Sequence, residues 1–328
     1  MPPLALTMGE PGGIGGEIAI AAWQALRHGA ERFFLIDDPD RIRAMAPPGV
    51  KVRVLDEAAE ASDAFAEALP VLPEPLPAPV RPGRPSPGNA QAVLRSILRA
   101  VTSALAGEAA AVVTSPVDKR ALLDGIGFPY AGHTDFLGVL AGSTEKPAMM
   151  LASGTLRVVP VTHHVPLRKV PDLLTREGIR EAGRLVASAL RSDFGIPSPR
   201  LAMAGLNPHA GENGMLGTED DQIIRPAVQD MAAEGVKVSG PLPADSMFRP
   251  EARRQFDAFL CMYHDQALIP AKMRGYDNCV NVTLGLPFIR TSPAHGVAYD
   301  LAGSGLASPK SLIAALRLAR KLADRRSA

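Results

Sequence analysis

The run Met262-Tyr263-His264-Asp265-Gln266 leads to Lys272, and sixteen residues after His264 begins a second run, Val280-Asn281-Val282-Thr283-Leu284, which continues to Arg290. An imidazole, a carboxylate, an ammonium, an amide and a guanidinium are thus set around apolar, strand-like stretches. Neutral imidazole ligates zinc and similar divalent ions. Lys and Arg are the usual partners of phosphate, Lys as a point charge and Arg as a planar fork. The combination points to a metal beside an anionic substrate.

The chain has seven histidines: His28, His133, His163, His164, His209, His264 and His295. His133 stands in Ala131-Gly132-His133-Thr134-Asp135, His163 and His164 in Thr162-His163-His164-Val165-Pro166-Leu167-Arg168, and His209 in Leu206-Asn207-Pro208-His209-Ala210-Gly211-Glu212. His264 follows the apolar run Phe259–Tyr263. The settings of His164, His209 and His264 read as strand ends running into loops. Ligands of α/β proteins collect at the carboxyl ends of strands. Taken singly, each imidazole reads first as a hydrogen-bonded loop residue; several at similar strand ends suggest a shared site.

The rest of the chain must position these groups. With 328 residues, 46% apolar and 21% charged, it can bury one large core or two ordinary ones. A net charge of +1, with cations spread along the chain, argues against nucleic acid as the main partner. The two cysteines, Cys261 and Cys279, lie in apolar runs and read as buried reduced thiols; with no CxxC a thiolate zinc site is excluded. The start Met1-Pro2-Pro3-Leu4 lacks a signal-peptide pattern, and no apolar span reaches the ~18 residues of a membrane helix, so a cytoplasmic location without membrane contact is expected.

Apolar runs at Leu4–Met8, Arg32–Ile36, Val50–Leu55, Ala110–Thr114, Leu156–Val161, Leu201–Ala204, Val236–Val238, Phe259–Tyr263 and Val280–Leu284 predict strands. Amphipathic stretches at Gly15–Leu26, Asn89–Ala106, Thr134–Ala141, Asp172–Leu190, Glu219–Ala233 and Pro309–Asp324 predict helices. Their alternation reads as α/β with a largely parallel sheet. Ala148–Leu151 and Leu156–Val161 flank Ala152-Ser153-Gly154-Thr155, a hairpin signal that implies an antiparallel insert serving as a subunit interface or as an edge. The proline-rich run from Leu69 to Pro87 reads as a loop or extended connection. Gly9-Glu10-Pro11-Gly12-Gly13-Ile14-Gly15-Gly16 follows a strand and opens a helix. It could present backbone N–H groups to an anion or simply make a tight turn, and it is neither a Walker A nor a G-x-G-x-x-G loop in register.

Thr7-Met8-Gly9-Glu10-Pro11, Thr114-Ser115-Pro116-Val117-Asp118-Lys119, Gly132-His133-Thr134-Asp135, Gly205–Glu212, Gly240-Pro241-Leu242-Pro243-Ala244-Asp245, Tyr263–Gln266 and Asn281–Ser292 together resemble the 4-hydroxythreonine-4-phosphate dehydrogenase family of vitamin B6 synthesis, over nearly the whole chain. The resemblance implies an isocitrate/isopropylmalate dehydrogenase-like α/β/α fold with two subdomains and a cleft, active as a homodimer whose sites use both subunits. The expected subdomains are 1–125 plus 292–328, and 126–291. The resemblance places metal ligands at His164, His209 and His264, one of them from the partner chain, and substrate contacts at His133, Thr134, Lys272, Asn281 and Arg290. Gly12, Gly16, Ala90 and Asp135 stand where the family usually has Ala, Pro, Gly and Glu. Ala267, Ala294 and Val297 replace a usual Gly, Asp and Thr, changes that bear on substrate or cofactor preference.

The expected reaction is oxidation of 4-phosphooxy-L-threonine by NAD or NADP with loss of CO2, giving 3-amino-2-oxopropyl phosphate, at one divalent metal (Zn, Mg, Mn or Co). Lys272 and Arg290 would hold the phosphate and Asn281 would donate to it. Asp245, Asp265 and Lys272 are candidates for catalytic or orienting roles, with capping carboxylates as the alternative for the two Asp. Another 4-phosphorylated hydroxy acid, threonate or erythronate phosphate, is an alternative substrate. A metal-dependent lyase using the same grip without nicotinamide is the rival class.

Overall fold

The computed structural model describes residues 1–130, 133–143 and 146–327, with the side chains of His133 and Tyr276 outside the description. The chain forms two compact units, Met1–Thr144 with Leu286–Ser327, and Glu145–Gly285. In chain order the strands are β1 (Leu4–Thr7), β2 (Phe33–Asp37), β3 (Val52–Val54), β4 (Leu69–Pro73), β5 (Val112–Val113), β6 (Ala148–Ser153), β7 (Leu156–Pro160), β8 (Arg200–Ala204), β9 (Lys237–Leu242), β10 (Ala258–Cys261), β11 (Cys279–Leu284) and β12 (Arg290–Pro293).

In the first unit the strands lie in the order β3-β4-β2-β1-β5-β12, all parallel. β1 and β2 are buried at every residue, as strands covered on both faces must be. Phe34, Ile36 and Ala5 pack with Val93, Ile97 and Val101 of the helix Ala90–Leu105. Within that core Ser96 Oγ donates to Ile36 O at 2.8 Å and accepts from Met8 N at 3.1 Å, fixing the helix against β1 and β2.

The expectation of a loop or extended connection for Leu69–Pro87 is corrected at its start: Leu69–Pro73 is a strand between two neighbours. Two prolines are tolerated because of where their missing N–H groups would point. Leu69 N bonds Lys51 O on the β3 side, so by alternation Pro70 faces β2, whose pairing begins only at Val71. Pro73 faces β3, whose pairing has already ended at Val71. β12 and the helix His264–Met273 are likewise regular elements where none was expected.

The glycine-rich loop is a tight turn. Gly12 N donates to Glu10 Oε1, Gly13 N to Glu10 O and Ile14 N to Val297 O, so these N–H groups are spent inside the protein. A Cβ at Gly12 would fall 1.9 Å from Arg84 O, so this backbone path requires glycine there.

In the second unit the order is β11-β6-β7-β10-β8-β9. β6 and β7 form the expected hairpin, turning at Gly154 (φ +61) and Thr155, and β11 extends it antiparallel from Cys279↔Ser153 to Leu284↔Ala148. β7, β10, β8 and β9 are parallel. The helix Arg176–Ser192 is capped by Thr175 and buries Ile179, Val186 and Leu190. Its Gly183 faces Met231 of the helix Arg225–Ala233 so closely that a Cβ would meet the sulfur at 2.6 Å.

Candidate active site

Three adjacent parallel strands, β7, β10 and β8, each lead into one of the histidines singled out above. His164 lies four residues beyond β7, His264 three beyond β10 and His209 five beyond β8. The strand ends are laced together. Thr162 Oγ1 donates to Met262 O at 2.7 Å, tying β7 to β10. Gln266 accepts from Met262 N at 2.6 Å through Oε1 and donates to Gly205 O at 2.7 Å through Nε2, tying β10 to β8. Gln266 was legible only as part of a motif; its bridging role needs the strand order.

His264 is the first residue of the helix His264–Met273, and not of a loop. Its Nδ1 lies 2.9 Å from Asp265 Oδ1. An ionised carboxylate only accepts, so it keeps the proton on Nδ1 and leaves Nε2 as a lone-pair donor for a ligand. The His164 ring is 5.9 Å from that of His264, centroid to centroid, and 5.2 Å from His163. His209 is not joined to the pair: among the described residues no group of three His, Cys, Asp or Glu side chains is placed to hold a metal ion.

Two of these histidines carry unusual backbone. His164 has φ +55 and His209 φ +53, and left-handed φ continues through Ala210, Gly211, Glu212 and Asn213. A residue with a Cβ pays roughly 1–2 kcal/mol in this region. Such conformations persist where the surroundings over-determine them, and they cluster at functional sites. Asp220 accepts from Leu206 N and Asn207 N just before the His209 stretch, and no residue pattern in the sequence pointed to it.

Lys272 is partly exposed in the last turn of the helix that His264 opens. It lies near enough to Cys279 to act on the thiol, which burial pushes up to about 11 while the Lys272 charge pulls the other way. Cys279 and Asn281 share a face of β11 by its two-residue period. Asn281 Oδ1 is buried and has no hydrogen-bond partner. A buried carbonyl oxygen without a partner is the kind of group a polar ligand satisfies.

In the first unit, Arg290 on β12 is fully buried and donates to Thr114 Oγ1 at the end of β5. Burial lowers its guanidinium to about 10. His133 opens the helix His133–Leu140, though its side chain, with Ala131 and Gly132, lies outside the described residues; Thr134 is partly exposed. Asp245 is exposed in the turn after β9. Tyr299 donates to Asp118 Oδ2 at 2.7 Å, and its phenol is pushed up by burial and by that bond.

This geometry has relatives. Residues 30–319 match the family model of the pyridoxal phosphate biosynthetic protein PdxA. A 4-hydroxythreonine-4-phosphate dehydrogenase of Caulobacter vibrioides is 50% identical over 329 residues, covering 99% of this chain and 98% of its own. The crystal structure of 4-hydroxythreonine-4-phosphate dehydrogenase from Klebsiella pneumoniae superposes with a TM-score of 0.87 at 39% identity, covering 98% of this chain and 100% of that one. An isocitrate dehydrogenase from Methylococcus capsulatus, at 13% identity and a TM-score of 0.51 over 100% of this chain and 87% of its own, shares the fold. The expected dehydrogenase-like α/β fold is therefore the observed one, and the chain belongs to the PdxA family of pyridoxal phosphate biosynthetic proteins.

Proposed function

We propose that this protein is a 4-hydroxythreonine-4-phosphate dehydrogenase, oxidising 4-phosphooxy-L-threonine with NAD or NADP and releasing CO2 in vitamin B6 synthesis. The observation that carries the reading is the delivery of His164, His264 and His209 from three adjacent parallel strand ends, two of them on left-handed backbone. The full-length relatives that bear this enzyme's name support the substrate class.

His164, His209 and His264 are assigned as ligands of one divalent metal, Zn, Mg, Mn or Co. The donor types fit: His164 and His264 stand as a pair, His264 oriented by Asp265 with Nε2 available, and the third imidazole, His209, stands apart from them within one chain. When bound, the metal supplies Lewis acidity at the substrate hydroxyl. Lys272, Asn281 and Arg290 are assigned to the phosphate, His133 and Thr134 to the rest of the substrate, and Asp245 to proton transfer.

The active unit is a homodimer in which the partner completes the ligand set. The exposed large apolar side chains of the second unit support this. Val165, Leu167 and Leu173 follow His164 in the chain; Met215 and Leu216 follow His209; Ile269 and Met273 follow His264, one helical turn apart. Several large apolar side chains left exposed in one unit support a protein interaction surface. Among the described residues no helix is long and apolar enough to cross a membrane.

The test is to follow formation of reduced nicotinamide on mixing protein, metal and NAD or NADP with a panel of phosphorylated hydroxy acids. Turnover of 4-phosphooxy-L-threonine ahead of threonate and erythronate phosphates is the expected result. Substrate cleavage without nicotinamide reduction would assign the lyase class instead.

A further inference from the structure

The left-handed stretch that carries His209 is six residues long, from His209 to Gly214. Gly211, Asn213 and Gly214 tolerate that path, but His209, Ala210 and Glu212 bear a Cβ that disfavours it. A side chain further along the chain lies against the lead-in to this path and against its middle. Asp220 is wholly buried, and its carboxylate reaches back to the segment leading into the turn. Oδ1 accepts from Leu206 N at 2.8 Å, and Oδ2 accepts from Asn207 N at 3.1 Å and Asn207 Nδ2 at 3.0 Å.

Asp220 also occupies the space that a longer side chain would need on either flank of His209. A Cβ at Gly205 would lie 2.7 Å from Asp220 Oδ1, and one at Gly211 would lie 3.2 Å from both Asp220 Cβ and Oδ2. One carboxylate is therefore wedged between Gly205, the first residue beyond β8, and the middle of the left-handed turn, with His209 on the arc between them. Asn207 is held in addition by Glu219 Oε2 at 2.8 Å.

We propose that Asp220 is the positioning residue for His209: it fixes the turn that presents the imidazole, without touching substrate or metal. The inference rests on the reading of His209 as a metal ligand. Asp220→Asn is the informative variant, since it keeps the volume but sets an NH2 group against donors that now meet carboxylate oxygens. The full-length protein is stripped of metal, and its affinity for Co2+ and Zn2+ is measured by competition with a chromophoric chelator, together with the visible Co2+ spectrum and kcat and KM. The same measurements are made on His209→Ala and on the double variant.

The expected result is an affinity loss of about 10–100-fold in Asp220→Asn, as for other residues that orient a ligand. A shifted Co2+ spectrum and a fall in kcat larger than the rise in KM are expected with it. In the His209→Ala background Asp220→Asn should then have no further effect on metal affinity, because the two substitutions act through one ligand. An unchanged affinity and spectrum in Asp220→Asn would overturn the proposal. So would an equal loss with and without His209, which would show general loosening of the unit. Unaltered metal binding by His209→Ala alone would instead remove the ligand assignment on which the proposal rests. Should Asp220→Asn not fold, Asn207→Ala removes one of the three hydrogen bonds to Asp220 and should move the same readouts in the same direction by less.

Discussion

The rings of His164 and His264 lie 5.9 Å apart, at the ends of the neighbouring parallel strands β7 and β10. Of the pair, His264 has an orienting carboxylate, Asp265 Oδ1, 2.9 Å from Nδ1. The carboxylate is exposed, so its worth to the fold is small, while its effect on the tautomer is direct. Asp265→Asn is expected to leave the melting temperature within a degree or two (roughly the ±0.5 kcal/mol of an exposed surface change) and to weaken metal binding by about 10–100-fold. Metal titration beside thermal unfolding checks both halves. A large loss of stability with unchanged affinity would make Asp265 a structural carboxylate.

Arg290 is buried, lowered to about 10, and bonded to Thr114 Oγ1. A hydrogen bond to a charged group contributes roughly 1.5–3 kcal/mol, so Arg290→Ala should raise the KM for phosphorylated substrate by about one to two powers of ten. Arg290→Lys should recover only part of this, because an ammonium cannot reproduce the fork. Steady-state kinetics on phosphorylated and dephosphorylated forms of one substrate decide the assignment; an equal rise for both would take the phosphate away from Arg290.

Glu10 is almost wholly buried beneath the glycine-rich turn, and that burial raises its pKa against the pull of the Gly12 and Ser86 N–H groups. Since the folded state holds this proton more tightly than the unfolded chain, the contribution of Glu10 to stability is fullest below the ordinary carboxylate range. It is lost as pH rises through the raised value. Glu10→Gln keeps an acceptor for both N–H groups and cannot ionise. Its melting temperature relative to the native protein should therefore increase from acid to neutral pH. A difference that is flat or falls with pH would contradict the burial argument.

If the partner completes the ligand set, two inactive chains can restore one another. Verified heterodimers of His209→Ala with His264→Ala should regain part of the native rate, because one site then keeps the His164–His264 pair of one chain and takes His209 from the other. Recovery in heterodimers isolated with two affinity tags is the readout, and its absence would place both ligands of each site on one chain.

Much of this arrangement was legible in the sequence. The runs that became β1, β2, β7, β8, β10 and β11 are apolar, short and bounded by turn residues. The hairpin was announced by Gly154 between two such runs. Other parts were hidden for physical reasons. β4 hides in a proline-rich run because only the pairing register shows that Pro70 and Pro73 point their missing donors away from a partner. The helix behind His264 contains Pro270 and buries only small or scattered positions, Ala267, Leu268 and Ala271, so no apolar stripe advertises it. The left-handed turn at His209 cannot be read from its residue types, since His209, Ala210 and Glu212 disfavour it, and Asp220 gains meaning only once folding brings it back against Leu206 and Asn207. Asp245 and Arg290 show the same limit: one Asp of a motif is exposed, and an Arg from an apolar run is wholly buried.

The central claim is a metal-dependent oxidation of a phosphorylated hydroxy-amino acid, and one coupled measurement bears on it most directly. Protein stripped with a chelator and then restored with a divalent metal is mixed with 4-phosphooxy-L-threonine and NAD or NADP, and reduced nicotinamide, CO2 and remaining substrate are measured together. The account predicts one reduced nicotinamide and one CO2 for each substrate consumed, with turnover absent from the stripped protein and returned by the metal. Substrate consumed without reduced nicotinamide, or turnover indifferent to the metal, would contradict it.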